Sequence, residues 1–144
     1  MTQSVLANLV ATLVLSALML MKSTMGLMPE LDVIAMLSAM MHRPAMTDWA
    51  AHLMIGSIVF GVAFAAAHRF LPGKTSIAKG IAFGVVAWFM MMVAVMPMAG
   101  AGVFGLGLGV MAPVMTLMLH IIYGLVLDLV FGRLTSSPTP APAH

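Results

Sequence analysis

The hydrophobic positions of this chain fall into four long runs, and the polar positions collect between them. The first run extends from Val5 to Met28, with Lys22 near its end and Pro29 to stop it. The second runs from Trp49 to Phe70, with Thr47 or Asp48 placed to cap it. The third runs from Ile77 to Met96 and the fourth from Val110 to Phe131. A helix needs about 20 apolar residues to cross a bilayer, so the runs predict four spans, at 5–28, 49–70, 77–96 and 110–131. Between the first two, Glu30 to Met41 is too short to cross. Leu31, Ile34, Leu37 and Met41 form one stripe, with Glu30, Asp32 and Ser38 off it, which predicts a short helix lying on the outer surface. Met98 to Gly109 is uncharged and Gly-rich. It predicts a tight hairpin or irregular backbone buried in protein, because lipid tolerates no other kind. The predicted fold class is all-α: an integral membrane four-helix bundle with one short interfacial helix. It forms a single domain over 1–134, followed by a disordered Ser/Thr/Pro/Ala tail over 135–144.

Composition strengthens this reading. Of 144 residues, 62% are hydrophobic and 7% charged, with a mean hydropathy of +1.13. A soluble domain carries roughly 25% charged residues, so most of this surface must face lipid. The absence of cysteine excludes disulfides, thiolate metal sites, iron–sulfur clusters and cysteine nucleophiles. The net charge of +2 comes from six basic and four acidic residues that form no patch, so no nucleic acid is expected as a partner. No Lys or Arg precedes Val5 and no small-x-small site precedes a polar region, which marks the first run as a retained helix. Arg69, Lys74, Lys79 and Arg133 share one side, which the positive-inside bias makes cytoplasmic, with both termini. Ala7/Ala11, Ser57/Gly61/Ala65, Gly80/Gly84 and Gly105/Gly109 place small residues at helix-packing spacing. His52 to Gly56 and His120 to Gly124 share a His-x-x-x-Gly pattern, which suggests duplicated hairpins.

Methionine is the unusual component. There are 18, and in this topology the 17 beyond the initiator all occupy the outer half. Met21/Met25, Met36/Met40, Met92/Met96 and Met111/Met115 are four apart, on one helix face. Thioethers are soft ligands suited to Cu(I); the plainer explanation is flexible packing or a plastic partner surface. His52 and His120 lie ~26 and ~20 Å from the inner basic residues at a rise of about 1.5 Å per residue. Two histidines, or a histidine with a methionine, ligate haem iron; equally, each histidine can satisfy itself on a neighbouring carbonyl. The candidate metal or haem residues are therefore His52, His120, Met92, Met96, Met111 and Met115, with copper or haem as the cofactor. Lys22 with Glu30, Asp32 and Asp48 makes a candidate outer polar cluster, either a clamp for the surface helix or a cap over a ligand. Asp128, near the inner end of the fourth span, can snorkel or pair with Arg69 or Arg133, while His68 and Arg69 belong to the inner rim. No G-x-S-x-G, H-E-x-x-H, P-loop or dinucleotide fingerprint occurs, so no catalytic constellation points to an enzyme.

Ala87-Trp88, Met96-Pro97, the Gly-rich Ala99 to Gly109 and Leu119-His120 through Tyr123-Gly124 carry a resemblance. The segments Ala11-Thr12 and Met25-Gly26 through Pro29 extend it. The chain resembles an uncharacterised family of small four-span bacterial inner-membrane proteins. The resemblance implies a four-helix fold and the bacterial inner membrane; it implies no activity and no site residues. The function expected from the residues is binding: an accessory protein holding a soft metal or haem in the outer half of the bilayer. The alternatives are a cofactor-free subunit of a larger membrane complex and an oligomeric transporter or channel.

Overall fold

A computed structural model describes residues 1–27, 32, 35, 39, 45–72 and 75–136. Helix α1 spans Thr2–Thr24. Helix α2 is continuous but changes pitch: α-helical over Ala45–Met54, π-helical over Ile55–Val59 and α-helical again over Phe60–Ala67. Helix α3 behaves alike, with Ser76–Met90, a π segment Met91–Val95 and a last turn Met96–Met98. A 3-10 segment, Val103–Leu108, leads to α4, Met111–Thr135. All four helices are long and apolar enough to cross a membrane, and no strand occurs among the described residues. The chain is a multi-pass membrane protein.

Local chemistry sets each boundary. Helix α1 stops at Thr24 rather than running on to Pro29, because Gly26 adopts a left-handed φ of 67°. Leu27 N–H then donates to Lys22 O and Gly26 N–H to Ser23 O, closing the last turn. Helix α2 begins at Ala45, which puts Thr47 and Asp48 inside its first turns and corrects the expected cap. Thr75 caps α3, its hydroxyl accepting from Ala78 N–H. Pro97 has no N–H to return to the preceding turn, and the π segment before it absorbs the mismatch. Of the surface helix expected over 30–41, only residues 32, 35 and 39 are described, Ala35 and Ala39 being helical; the tail beyond Ser136 lies outside the described residues.

The helices run up and down in turn, and glycine sets how closely they meet. A Cβ on Gly80 would strike the carbonyl of Gly124 and the Asp128 side chain, and one on Gly84 the carbonyl of His120. Helices α3 and α4 therefore meet backbone to backbone. Gly56 gives way to Thr12 and Gly61 to Val5, which locks α2 onto α1. In both His-x-x-x-Gly segments the glycine packs against the helix that precedes it in the chain. Gly105 and Gly109 are different. Both have positive φ in the loop before α4, so they serve its conformation, not helix packing.

Two cores result. At the end of the bundle that holds Met1, Phe64, Phe83, Tyr123 and Leu127 are buried with Ala7 and Ala11. Their rings meet edge-on: Phe64 lies 5.1 Å from Phe83 and 5.3 Å from Phe131, and Phe60 lies 6.1 Å from Phe83. At the far end, Met92, Met96, Ala101 and Ala112 form the second core, with Trp88, Met91, Phe104, Leu108 and Met115 packed around it.

Candidate functional site

The far core is where the sulfur donors converge. Met92 and Met96 follow one another by a turn on α3 and are 0% and 1% exposed. Met115 reaches the same cluster from α4. Met96 Sδ lies beneath Gly105, where an added Cβ would stand 3.4 Å from the sulfur. Phe104, at φ 58°, turns the loop over the cluster and packs on Trp88 and Phe89. Positive φ in a bulky residue is rare, and here it closes the lid of the methionine core.

Thr116 organises the polar edge of this cluster. Its hydroxyl lies 2.7 Å from Ala112 O, 3.1 Å from Trp88 Nε1 and 3.9 Å from Met92 Sδ. A hydroxyl has one proton. The short contact to the carbonyl takes that proton, Trp88 Nε1–H donates to the hydroxyl oxygen, and the Met92 sulfur keeps its lone pairs. One turn on, His120 Nδ1 lies 2.8 Å from Thr116 O. A carbonyl only accepts, so Nδ1 carries the proton and Nε2 the lone pair. A metal-ligating histidine is commonly oriented in this way, by a bond from its other nitrogen. The residues that sequence reasoning missed are therefore Thr116 and Trp88. Their signal was their spacing from Met92 and His120, which carries meaning only once α3 and α4 are known to be antiparallel neighbours.

The other candidates lie elsewhere. Met111 opens α4 and is 53% exposed, so it stands apart from the buried sulfurs despite its spacing from Met115. His52 belongs to α2, where its ring meets Trp49 edge-on at 6.1 Å. Its Nε2 is buried without a hydrogen-bond partner among the described residues. His52 and His120 thus belong to different helix interfaces, α1–α2 and α3–α4. Among the described residues no three His, Cys, Asp or Glu converge. The donors that do converge are thioethers, with one imidazole a turn away.

Of the expected outer polar cluster, the side chains of Lys22 and Asp32 are described. Lys22 Nζ donates to Leu27 O at 3.2 Å, and Asp32 Oδ1 accepts from Ala35 N–H. Glu30 and the side chain of Asp48 lie outside the described residues. At the Met1 end, Asp128 does not snorkel. It is 1% exposed, its carboxylate oxygens have no hydrogen-bond partner among the described residues, and the basic residues that act on it are His68 and Lys79. The cause is Gly80, which lets α3 close over the aspartate. His68 meets Phe64 edge-on and Phe131 at a tilt, and the Arg69 guanidinium lies 4.5 Å over the Phe70 ring.

A family model matches residues 1–141, that of a family of unknown function (DUF6789). No curated protein and no solved structure matches the chain.

Proposed function

The chain belongs to the family of unknown function DUF6789, and from that premise we propose that it is a membrane accessory protein that binds Cu(I). The proposed ligands are the thioethers of Met92, Met96 and Met115, in the outer half of the bilayer, with His120 Nε2 as a nitrogen donor nearby. The observation that carries this reading is the burial of Met92 and Met96 in one cluster with Met115. Around it, Thr116 leaves the Met92 sulfur and His120 Nε2 with free lone pairs. Soft thioethers select Cu(I) over harder divalent ions, and a dry apolar shell protects that oxidation state from water.

The placement follows from the basic residues. Arg69, Lys79 and Arg133 gather at the Met1 end, and the positive-inside bias supports a cytoplasmic location for that end, with the bacterial inner membrane as the proposed membrane. The methionine core then faces the outer side, where a metal would be received or handed on.

The test is metal content by mass spectrometry, on protein purified without a metal resin and then loaded with Cu(I). Near-stoichiometric copper that is lost in Met92→Leu/Met96→Leu supports the reading. Copper unaffected by that double variant, or no copper in intact protein, overturns it and leaves the methionines as packing material. Near-stoichiometric iron would favour haem instead.

A further inference from the structure

Met92 and Met96 are all but sealed, so an ion that comes to rest between them must first be held by a donor outside. The loop before α4 closes the cluster from above. A Cβ added to Gly105 would stand 3.4 Å from Met96 Sδ and 3.7 Å from the Ala112 side chain, so the space between loop and sulfur holds at most a methyl group. Beside it, Phe104 packs on Trp88 and Phe89. A route to the sulfurs therefore enters from the flank of the cluster.

Met111 stands on that flank. It is the first residue of α4 and is 53% exposed. One turn on, Met115 packs against the cluster, and Ala112 between them is part of it. Residues four apart on a helix are neighbours, with Cβ atoms about 5–6 Å apart, so two flexible thioethers at that spacing can hold one ion between them. Exposure thus falls from Met111 through the partly buried Met115 to Met92 and Met96. Other exposed methionines nearby are placed differently. Met90 and Met98 are more exposed, at 63% and 72%, yet each stands two positions from a buried methionine, and residues two apart do not face one another. Met118 follows Met115 by three positions and shares its face, but it lies further toward the Met1 end, away from the outer rim.

We propose that Met111 is the entry ligand of the methionine core, a role that rests on the Cu(I) reading of that core. Cu(I) is captured at Met111 from the outer side and passes through Met115 to Met92 and Met96. Each transfer is a ligand exchange. A Cu–S bond to Met96 forms while Met115 still holds the ion, and the bond to Met111 then breaks. No electron and no proton moves, so the metal remains Cu(I). Because release retraces loading, Met111 sets the rate in both directions and leaves the affinity to the buried sulfurs.

The experiment measures two rates on the full chain in detergent without oxygen: loading from the Cu(I)–acetonitrile complex, and release to excess bicinchoninate, whose Cu(I) complex is coloured. Met111→Leu should hold as much copper at equilibrium as wild type, with helical content unchanged. It should load and release that copper about tenfold more slowly, the equivalent of about 1.4 kcal/mol of barrier. Met98→Leu removes a more exposed thioether and should match wild type in both rates. Wild-type rates in Met111→Leu overturn the entry role and leave the copper site standing. Slowing of the same size in Met98→Leu also overturns it, since the surface methionines would then collect the metal without a fixed route. Copper lost at equilibrium from Met111→Leu overturns it too, by making Met111 a ligand of the final site. A wild-type protein that binds no copper overturns the Cu(I) reading itself, and the entry role with it.

Discussion

The two ends of the bundle build their cores by different means. At the Met1 end the core is aromatic: Phe64, Phe83 and Phe131 meet edge-on, and Tyr123 turns its hydroxyl to Asn8. At the far end the core is thioether, with Met92 and Met96 under a glycine-rich loop. Rings with fixed edge-to-face geometry specify a unique arrangement. Methionine fills irregular space with three soft torsions, and there the helix is locally π-helical and the loop carries a run of positive φ. The rigid end therefore determines how the four helices assemble, and the soft end leaves its side chains freer to repack.

The comparison breaks most sharply at Phe64. Phe64→Ala empties the junction of three rings and should cost about 3–5 kcal/mol, read as lowered resistance to unfolding in mixed micelles. A cost no larger than that of a far-core methionine would remove the distinction between the ends. Gly124→Val drives a side chain into the backbone of Gly80 and Ile81. It should cost toward the upper end of about 1–3 kcal/mol, with separation of α3 from α4 measurable by cysteine cross-linking in the otherwise cysteine-free chain. Asp128→Asn keeps the shape and removes a buried charge. It should raise stability by about 1 kcal/mol; a fall instead would mean that His68 and Lys79 hold the carboxylate in a net-favourable cluster. Tyr123→Phe removes one interhelical hydrogen bond and should cost ~0.6 kcal/mol, with ~1.7 as the ceiling for such bonds in a membrane bundle. Met92→Leu with Met96→Leu conserves volume and should change stability little, by under about 1.5 kcal/mol, while abolishing Cu(I) retention. A large stability loss there would make the far core as shape-specific as the aromatic one.

The amino-acid sequence by itself determined the class of fold. Four runs near 20 residues with so few charges admit one solution in lipid, because every backbone polar group must be satisfied within its own helix. The up-and-down order follows from four spans in succession with no fifth run long enough to cross between them. Helix ends were less legible. Gly26 ends α1 before Pro29 through a left-handed turn, and α2 starts at Ala45, ahead of the residues that looked like caps. These depend on which of several adequate breakers is used. Tertiary structure alone decided which residues share a site. Met92/Met96 and Met111/Met115 have the same spacing, yet only the first pair is buried together, because Met111 stands at the exposed start of α4. His52 and His120 share a motif and go to different interfaces. Thr116, Asn8 and Thr12 are ordinary residues in a helical run until a neighbouring helix, admitted by glycine, closes over them. Periodicity tells which face of a helix a residue occupies; what that face meets is a property of the packed bundle.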